Sequence, residues 1–225
     1  MIHTEKISDS ILMFHTDNRH FGLEFGNRMT VIKCHDDSLF VHSPIILDDH
    51  ALTELNNFGT VTYIIAPNLL HHLYLDAFVK LFPNAKVFGV HGLQKKVKNI
   101  SFSYLEDETE GFGWDNDIDT YKLHGMPLFN EHIFYHKATQ TLLVTDLLFN
   151  IQNKKGFSKF MFKLYGVYNK LGTTILFKSM IFNKPKFRKV IETIRQLPIN
   201  HIVLSHGHNI LENASEKLRK ALAWV

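Results

Sequence analysis

The sequence predicts an α/β protein in which two β-sheets are flanked by helices within one domain. The first observation is the order of the apolar segments. Strands come first, then a helix, further strands, a helical block, a last strand and a last helix. The second is composition, because a chain of 225 residues that is 45% apolar and 21% charged can bury one substantial core. We therefore expect a single domain over residues 1–225.

The N-terminal third is typical of strands followed by one short helix. Residues 7–14 and 28–33 are predicted strands, and the turn sequence at 36–38 indicates that the second of them forms a hairpin with the strand that follows. Asp48 is suited to cap a short helix. The nearly continuous apolar run at 61–66 predicts a strand buried on both faces.

The middle of the chain begins with a predicted helix from Asn68 to Leu81. Asn68 can cap it, and its apolar residues recur with a period of 3.6. The strand "KVFGV" and a short helical segment follow. The next segment, 106–119, contains seven acidic residues, no basic residue and Trp114, and we expect it to be a solvated loop.

The C-terminal half combines a hairpin with a helical block. A strand ends at His124, and two apolar runs within 131–149 predict a hairpin. The segment 151–191 is predicted to be mostly helical. A last strand lies within 201–208, and a final helix covers 214–223.

Several classes of protein are excluded by simple counts. The single cysteine, Cys34, permits no internal disulfide and excludes a cysteine-based zinc site, so we expect a reducing compartment and a cytoplasmic location. No uncharged apolar stretch is long enough to span a bilayer. The N-terminus lacks the basic and apolar segments of a secretory signal.

Candidate metal ligands follow four of the predicted strands. Imidazole and carboxylate groups brought from separate strand ends to one edge of a sheet suit zinc, iron or manganese. About three such ligands and one water molecule make a typical catalytic site. In chain order the candidates are Asn68, His71, His72, Asp76, His124, Asp146, His206 and His208.

Each candidate also has a structural interpretation that the sequence leaves open. Asp146 lies in an apolar run, where its carboxylate can accept backbone N–H groups of a turn. His72 and Asp76 are four residues apart and can form a plain hydrogen-bonded pair on a helix. His206 and His208 can donate to backbone carbonyls.

The motifs "APNLLHH", His124-Gly125, "LLVTDLLFN" and "LSHGH", in this order, resemble the metallo-β-lactamase superfamily. The resemblance extends over residues 28–210. More narrowly, "RMTVIK", "SLFVHSP" and "FPNAKVFG" look like an uncharacterised branch of that superfamily whose function is unassigned. The resemblance implies a four-layer αββα sandwich with a metal site at one edge of its two sheets.

The first metal motif of the superfamily, His-x-His-x-Asp-His, is largely lost in this chain. Asn68 and Leu70 stand where its first two histidines are expected. His72 falls on the aspartate, and Leu73 falls on the final histidine. The resemblance therefore implies a reduced site in which a second metal ion lacks ligands.

The later positions of the superfamily are retained. His124 matches the middle metal histidine, Asp146 the bridging aspartate and His206 the last histidine. The resemblance thus implies a site for one metal ion with ligands His72, His124, Asp146 and His206, in which Asp146 and His124 are catalytic. Zinc is expected, with iron, manganese or no metal as alternatives. Further candidate residues are His71, Asp76, which would support a ligand, His208 and Asn68.

A basic segment at 151–191 is interpreted as a helical insertion. It contains ten lysine or arginine residues and no acidic one, and aromatic residues alternate with the lysines. It can be a helical cover on the core, an amphipathic surface for anionic lipid or a partner, or a lid over a phosphate-bearing substrate. No nucleic-acid motif accompanies the charge, so nucleic acid is not an expected partner.

Two functional hypotheses follow. The first is a metal-dependent hydrolase with a mononuclear site and a small-molecule, anionic substrate. The second is a non-catalytic metallo-β-lactamase-like protein that binds a partner or a membrane surface through the basic segment at 151–191. Pairing of that segment with the acidic loop at 106–119 would allow a homodimer.

Overall fold

The structure, a computed structural model, describes residues 2–17, 19–20, 22–107 and 111–225. The chain divides into two compact units. Unit 1 comprises Met1–Thr16 and Arg28–Ile118, and unit 2 comprises Asp17–Asn27 and Asp119–Val225.

The described residues form thirteen strands. In chain order they are β1 (Ile2–Ser8), β2 (Ile11–Thr16), β3 (Arg19–His20), β4 (Leu23–Glu24), β5 (Asn27–Lys33), β6 (Ser38–His42), β7 (Thr60–Ile65), β8 (Lys86–Gly89), β9 (Ser103–Tyr104), β10 (Ile118–Lys122), β11 (His132–His136), β12 (Thr141–Val144) and β13 (His201–Leu204).

Six α-helices occur within the same described ranges. They are α1 (Asp49–Phe58), α2 (Leu75–Leu81), α3 (Gly156–Leu164), α4 (Ile175–Ser179), α5 (Lys184–Gln196) and α6 (Ala214–Ala221). A short 3₁₀ turn at Leu93–Lys95 replaces the helical segment predicted after "KVFGV".

Unit 1 contains a mixed sheet of seven strands, as far as its described residues show. The strand order is β1-β2-β5-β6-β7-β8-β9, and β6, β7, β8 and β9 pair in parallel. Every residue of β6 and most residues of β7 are buried. The prediction that the apolar run at 61–66 is a buried strand is therefore confirmed, with bounds of Thr60–Ile65.

The predicted hairpin of unit 1 is confirmed by the antiparallel pairing of β5 and β6. Its turn is stabilised because the carboxylate of Asp36 accepts hydrogen bonds from the backbone N–H and the hydroxyl of Ser38. The prediction of one strand at 7–14 was wrong. A turn at 9–10 divides this run between β1 and β2, which pair antiparallel, because Asp9 and Ser10 are typical turn residues.

The two helices of unit 1 differ from each other in how well the sequence predicted them. The carboxylate of Asp48 accepts the backbone N–H of Ala51 at 3.0 Å, and α1 begins at the next residue as expected. The predicted helix from Asn68 to Leu81 was wrong in its first half, since α2 begins only at Leu75. The side chain of Asn68 instead bonds the backbone of a turn, an alternative that competes with helix formation.

Unit 2 is built on a four-stranded sheet with helices packed against it. Its described strands follow the order β10-β11-β12-β13, in which β11 and β12 are antiparallel and β12 and β13 are parallel. The predicted hairpin within 131–149 and the helical block at 151–191 are both confirmed. The core of this unit joins the sheet to α5 and α6 through buried side chains that include Leu142, Val144, Ile202, Phe187, Ile191 and Leu218.

Trp114 is the largest departure from the expectation of a solvated acidic loop. Its side chain is fully buried in unit 1, in ring contact with Phe40, Tyr63 and Phe88 at centroid distances of 5.0, 5.1 and 4.8 Å. Within the acidic segment, residues 108–110 lie outside the described residues. Burial of the Trp114 ring holds the second half of the acidic segment against the sheet. The acidic composition of the segment therefore led to a wrong expectation of solvent exposure at Trp114.

We predict that Trp114→Ala lowers the free energy of unfolding by about 3–5 kcal/mol, because it leaves a cavity among buried rings. Trp224→Ala is the matched control, since that side chain is 37% exposed, and a smaller loss is expected. Urea unfolding followed by circular dichroism measures both. Equal losses in the two variants would contradict the assignment of Trp114 to the core.

Candidate metal site

Asp146 lies just after the C-terminal end of β12 and is buried. The strand end is held by Glu131, whose Oε1 accepts the backbone N–H groups of Thr145 and Asp146 at 3.0 and 3.1 Å. The hydroxyl of Thr145 donates to the same oxygen at 2.6 Å. Glu131 therefore positions the peptide that carries Asp146.

The Glu131 carboxyl is completely buried, and this changes its acidity. Burial, and after it the nearby charge of Asp146, raise the pKa of Glu131 to about 8. A protonated, neutral Glu131 accepts the three hydrogen bonds without placing a second negative charge beside Asp146.

His206 follows β13 and is oriented by three contacts within unit 2. Its Nδ1 donates to the backbone carbonyl of Gly26 at 2.7 Å. Its ring stacks on Phe149 at a centroid distance of 5.2 Å, and Phe25 packs edge-on at 5.7 Å. Because a carbonyl oxygen can only accept, the proton of the neutral imidazole lies on Nδ1, and Nε2 carries the lone pair that a metal ion requires.

The parallel register of β12 and β13 brings Asp146 and His206 side by side. Val144 pairs with Leu204, and each ligand candidate lies two residues beyond its member of this pair. The backbone at Gly207 has a φ of 86°, and a Cβ there would collide with the carbonyl of Asn150. The segment after β13 therefore depends on glycine for its path.

The geometry of the Asp146–His206 pair fits a shared metal ion. His206 Nε2 lies 3.8 Å from Asp146 Oδ1. This is longer than the N···O distance of about 2.7–3.2 Å in a hydrogen bond. Two ligand atoms that are each about 2.0–2.1 Å from one tetrahedral zinc ion lie about 3.4 Å apart, so a small approach would satisfy coordination.

In unit 1, His71 lies on the turn that Asn68 stabilises. The buried Asn68 side chain accepts the backbone N–H groups of Leu70 and His71 at 2.8 and 2.9 Å through its Oδ1. The Nδ1 of His71 is 2.6 Å from the hydroxyl of Ser43, which follows β6. A hydrogen bond to one ring nitrogen is the usual means of orienting a metal-binding histidine.

His42, the last residue of β6, is a further imidazole close to His71 in unit 1. Burial, and after it the charge of His71, lower its pKa to about 3. His42 is therefore a neutral imidazole throughout the physiological range.

The remaining predicted residues have other surroundings. Asp76 forms an exposed ion pair with Lys80, four residues away on α2. The pKa of His72 is lowered by its partial burial and by the charge of Lys96. His208 is exposed, and its backbone N–H donates to the carbonyl of Asn150.

His124 lies in a cleft of unit 2 between β10 and α5. The cleft has a volume of about 450 Å³ and is also lined by Lys122, Lys186 and Lys189. Partial burial and the lysine charges lower the pKa of His124, so its imidazole is neutral near pH 7.

A family model described as "Domain of unknown function (DUF4336)" matches residues 8–164. This match covers more than half of the chain. The chain belongs to the DUF4336 family. No curated protein is significantly similar to it in sequence.

Solved structures similar to this DUF4336 protein have the metallo-β-lactamase fold. A metallo-β-lactamase from Pontibacter korlensis is 13% identical, with 99% of both chains covered and a TM-score of 0.66. The DIM-1 metallo-β-lactamase exposed to ceftazidime is 10% identical, with 98% of this chain and 95% of that chain covered and a TM-score of 0.66. The Flv1 flavodiiron core from Synechocystis sp. PCC6803 is 13% identical over 99% of this chain and 60% of that chain, with a TM-score of 0.64.

The predicted fold class, an αββα sandwich of the metallo-β-lactamase type, is thereby confirmed for the DUF4336 chain. At such identities the likeness shows the fold alone. None of the described helices combines the length and apolarity that a helix needs to span a bilayer.

Among the described residues of unit 2 of the DUF4336 protein, Asp146 and His206 each offer one ligand atom that a metal ion could share. Both are predicted metal ligands. His124, the third predicted ligand in this unit, lines the cleft between β10 and α5.

Sequence reasoning missed the residues that orient these candidates. Glu131, Ser43 and the carbonyl of Gly26 were not singled out, although each bonds a candidate ligand or the peptide that carries it. Glu131 is marked in the sequence only as an acidic residue directly before an apolar strand. Ser43 is marked only by its place in "HSP" at the end of a strand. A hydrogen bond between distant residues leaves no periodic pattern.

We predict that Glu131→Gln and Glu131→Leu differ sharply in stability. Glutamine retains an uncharged acceptor for the three donors, so the free energy of unfolding should fall by less than about 1.5 kcal/mol. Leucine leaves two buried backbone N–H groups without that acceptor, and a loss of about 2–5 kcal/mol is expected. Urea unfolding of metal-free protein measures both, and equal losses would rule out the assigned role.

Proposed function

We propose that this protein is a metal-dependent hydrolase in which Asp146 and His206 of unit 2 hold one metal ion. The observation that carries the proposal is the Asp146–His206 pair, in which a buried imidazole with a fixed tautomer directs Nε2 toward a buried carboxylate at 3.8 Å.

Imidazole and carboxylate groups are donors typical of catalytic zinc, so zinc is the proposed metal. When bound, such an ion lowers the pKa of a water molecule to about 7 and polarises an ester, amide or phosphoester group. The chain's own residues provide the fixed positions of the donors. Glu131 holds the Asp146 peptide, and Gly26 and Phe149 hold the His206 ring.

His124 is proposed as a proton carrier outside the ligand set. Its imidazole is neutral, and the lysines of its cleft favour an anionic portion of a small-molecule substrate. The buried single cysteine, Cys34, agrees with a proposed cytoplasmic location.

A second candidate function, a non-catalytic metallo-β-lactamase-like protein, is favoured by the altered first motif. Leu70 and Leu73 stand at positions of expected histidines, and both side chains are exposed. Asn68 accepts hydrogen bonds from its own turn. Metal binding distinguishes the two candidates.

Metal analysis of the purified protein should find about one equivalent of zinc per chain. Asp146→Ala and His206→Ala should each weaken zinc affinity at least tenfold, because each removes one donor atom. Titration against a competing chelator measures these affinities.

The matched controls are His72→Ala, His124→Ala and His208→Ala, which should retain zinc affinity. A folded wild-type chain that binds no zinc would favour the non-catalytic candidate. Loss of zinc in His72→Ala would instead place His72 among the ligands, as the sequence predicted.

Hydrolysis of a panel of ester, lactone, amide and phosphoester substrates tests the activity itself. Activity should disappear when zinc is removed and return when zinc is added. His124→Ala should lower kcat by about 10²-fold or more while zinc content is retained, because a proton carrier affects the chemical step. A zinc-loaded chain without activity on any of these substrate classes would contradict the hydrolase proposal.

A further inference from the structure

The helix α3 of unit 2 presents a row of large apolar side chains to solvent. Phe157, Phe160 and Leu164 are 62%, 63% and 57% exposed. They are separated by three and four residues, so they lie on one face of the helix. Surface exposure of single apolar residues is ordinary, but three large ones in register on one helix form a continuous face.

The next helix extends this face. The backbone N–H of Ile175, the first residue of α4, donates to the carbonyl of Tyr165 directly after α3. Ile175 and Leu176 are 59% and 52% exposed. We call the five residues Phe157, Phe160, Leu164, Ile175 and Leu176 the apolar patch.

The apolar patch is not an unused part of the core of unit 2. The opposite side of α3 is already anchored, because Phe162 is fully buried in a cluster with Phe149, Ile151 and Val167. Ser158, also on the buried side, accepts the backbone N–H of Glu24 at 3.3 Å. Rotation of α3 to bury the patch would expose Phe162. The packing of Phe162 therefore keeps the patch on the solvent side of the helix.

Positive charge lies beside the apolar patch. Lys159 and Lys163 are on α3 next to the ring of Tyr168, and Lys154 and Lys155 directly precede this helix. The acidic residue Glu24 lies 3.9 Å from Lys154 and is also bonded to Arg19. An apolar centre with a cationic margin is complementary to a surface that is negatively charged outside and apolar just beneath.

We propose that the apolar patch docks the protein on an anionic lipid bilayer. The phenylalanine, leucine and isoleucine side chains enter the boundary between headgroups and acyl chains, and the lysines contact the headgroups. The helices lie in the plane of the surface without crossing it. This inference is independent of the metal site and goes beyond the proposed hydrolase function.

Co-flotation of the full chain with lipid vesicles tests the proposal. The protein should float with vesicles of phosphatidylcholine and phosphatidylglycerol, and it should bind vesicles of phosphatidylcholine alone much more weakly. Added sodium chloride should reduce the binding to the anionic vesicles, because salt screens the lysine charges.

The decisive variant is the double substitution Phe157→Ser and Phe160→Ser. It should weaken vesicle binding about tenfold or more, because two apolar anchors are lost. The pair Leu164→Ser and Leu176→Ser, which combines changes on two helices, should have a comparable effect. Lys155→Glu with Lys159→Glu should abolish the preference for anionic vesicles.

The matched control is Leu81→Ser with Leu211→Ser, which removes two apolar side chains that are 49% and 44% exposed outside the patch. It should leave vesicle binding unchanged. Circular dichroism and urea midpoints confirm that each variant is folded.

Three results would overturn the proposal. The first is a wild-type chain that fails to float with anionic vesicles, and the second is flotation that the patch variants do not reduce. The third is a wild-type dimer by light scattering that becomes monomeric in the Phe157→Ser, Phe160→Ser variant, which would assign the patch to self-association.

Discussion

The hydrogen bonds that the buried carboxyl of Glu131 accepts from the end of β12 determine where Asp146 lies. A strand that ends inside a protein leaves backbone N–H groups without ladder partners, and each must find an acceptor. Glu131 satisfies those of Thr145 and Asp146 with one oxygen. The parallel register of β12 and β13 then carries His206 to the same level, so one acceptor and one strand pairing position both candidate ligands.

In the turn after β7, too, backbone N–H groups need an acceptor, and here a side chain of the turn itself supplies it. The Asn68 side chain accepts two backbone N–H groups, and the chain thereby forms a turn where a helix would otherwise begin. The superfamily resembled by the sequence places a metal-binding histidine at this position. In this chain the residue has a structural role, and His71 on the same turn is the imidazole that Ser43 orients. The asparagine at the first position of the metal motif therefore also accounts for the local change of backbone.

The two faces of α3 separate packing from surface chemistry. Phe162 anchors the helix in a small cluster, whereas Phe157 and Phe160 on the other side face solvent among lysines. A helix that only covered a core would place its phenylalanines inward and polar residues outward. The outward aromatic residues therefore make this segment a candidate for contact with a lipid surface, independently of the chemistry of the metal site.

The sequence by itself determined the strands and helices whose signals are local. The buried strand at 61–66, the Asp48 cap and the hairpin at 131–149 follow from apolar periodicity and from side chains that bond their own backbone, and both are written in consecutive residues. Asp146 and His206 could be selected in the same way, as polar residues beyond apolar strands.

Tertiary structure alone decided the burial of Trp114, the role of Asn68 and the partners that orient the ligands. Trp114 is flanked in sequence by acidic residues, yet it packs against rings from β6, β7 and β8. Glu131 accepts a hydrogen bond from Asp146, 15 positions away, and the carbonyl of Gly26 accepts one from His206, 180 positions away. Such contacts depend on the path of the whole chain, and no spacing of neighbouring residues encodes them.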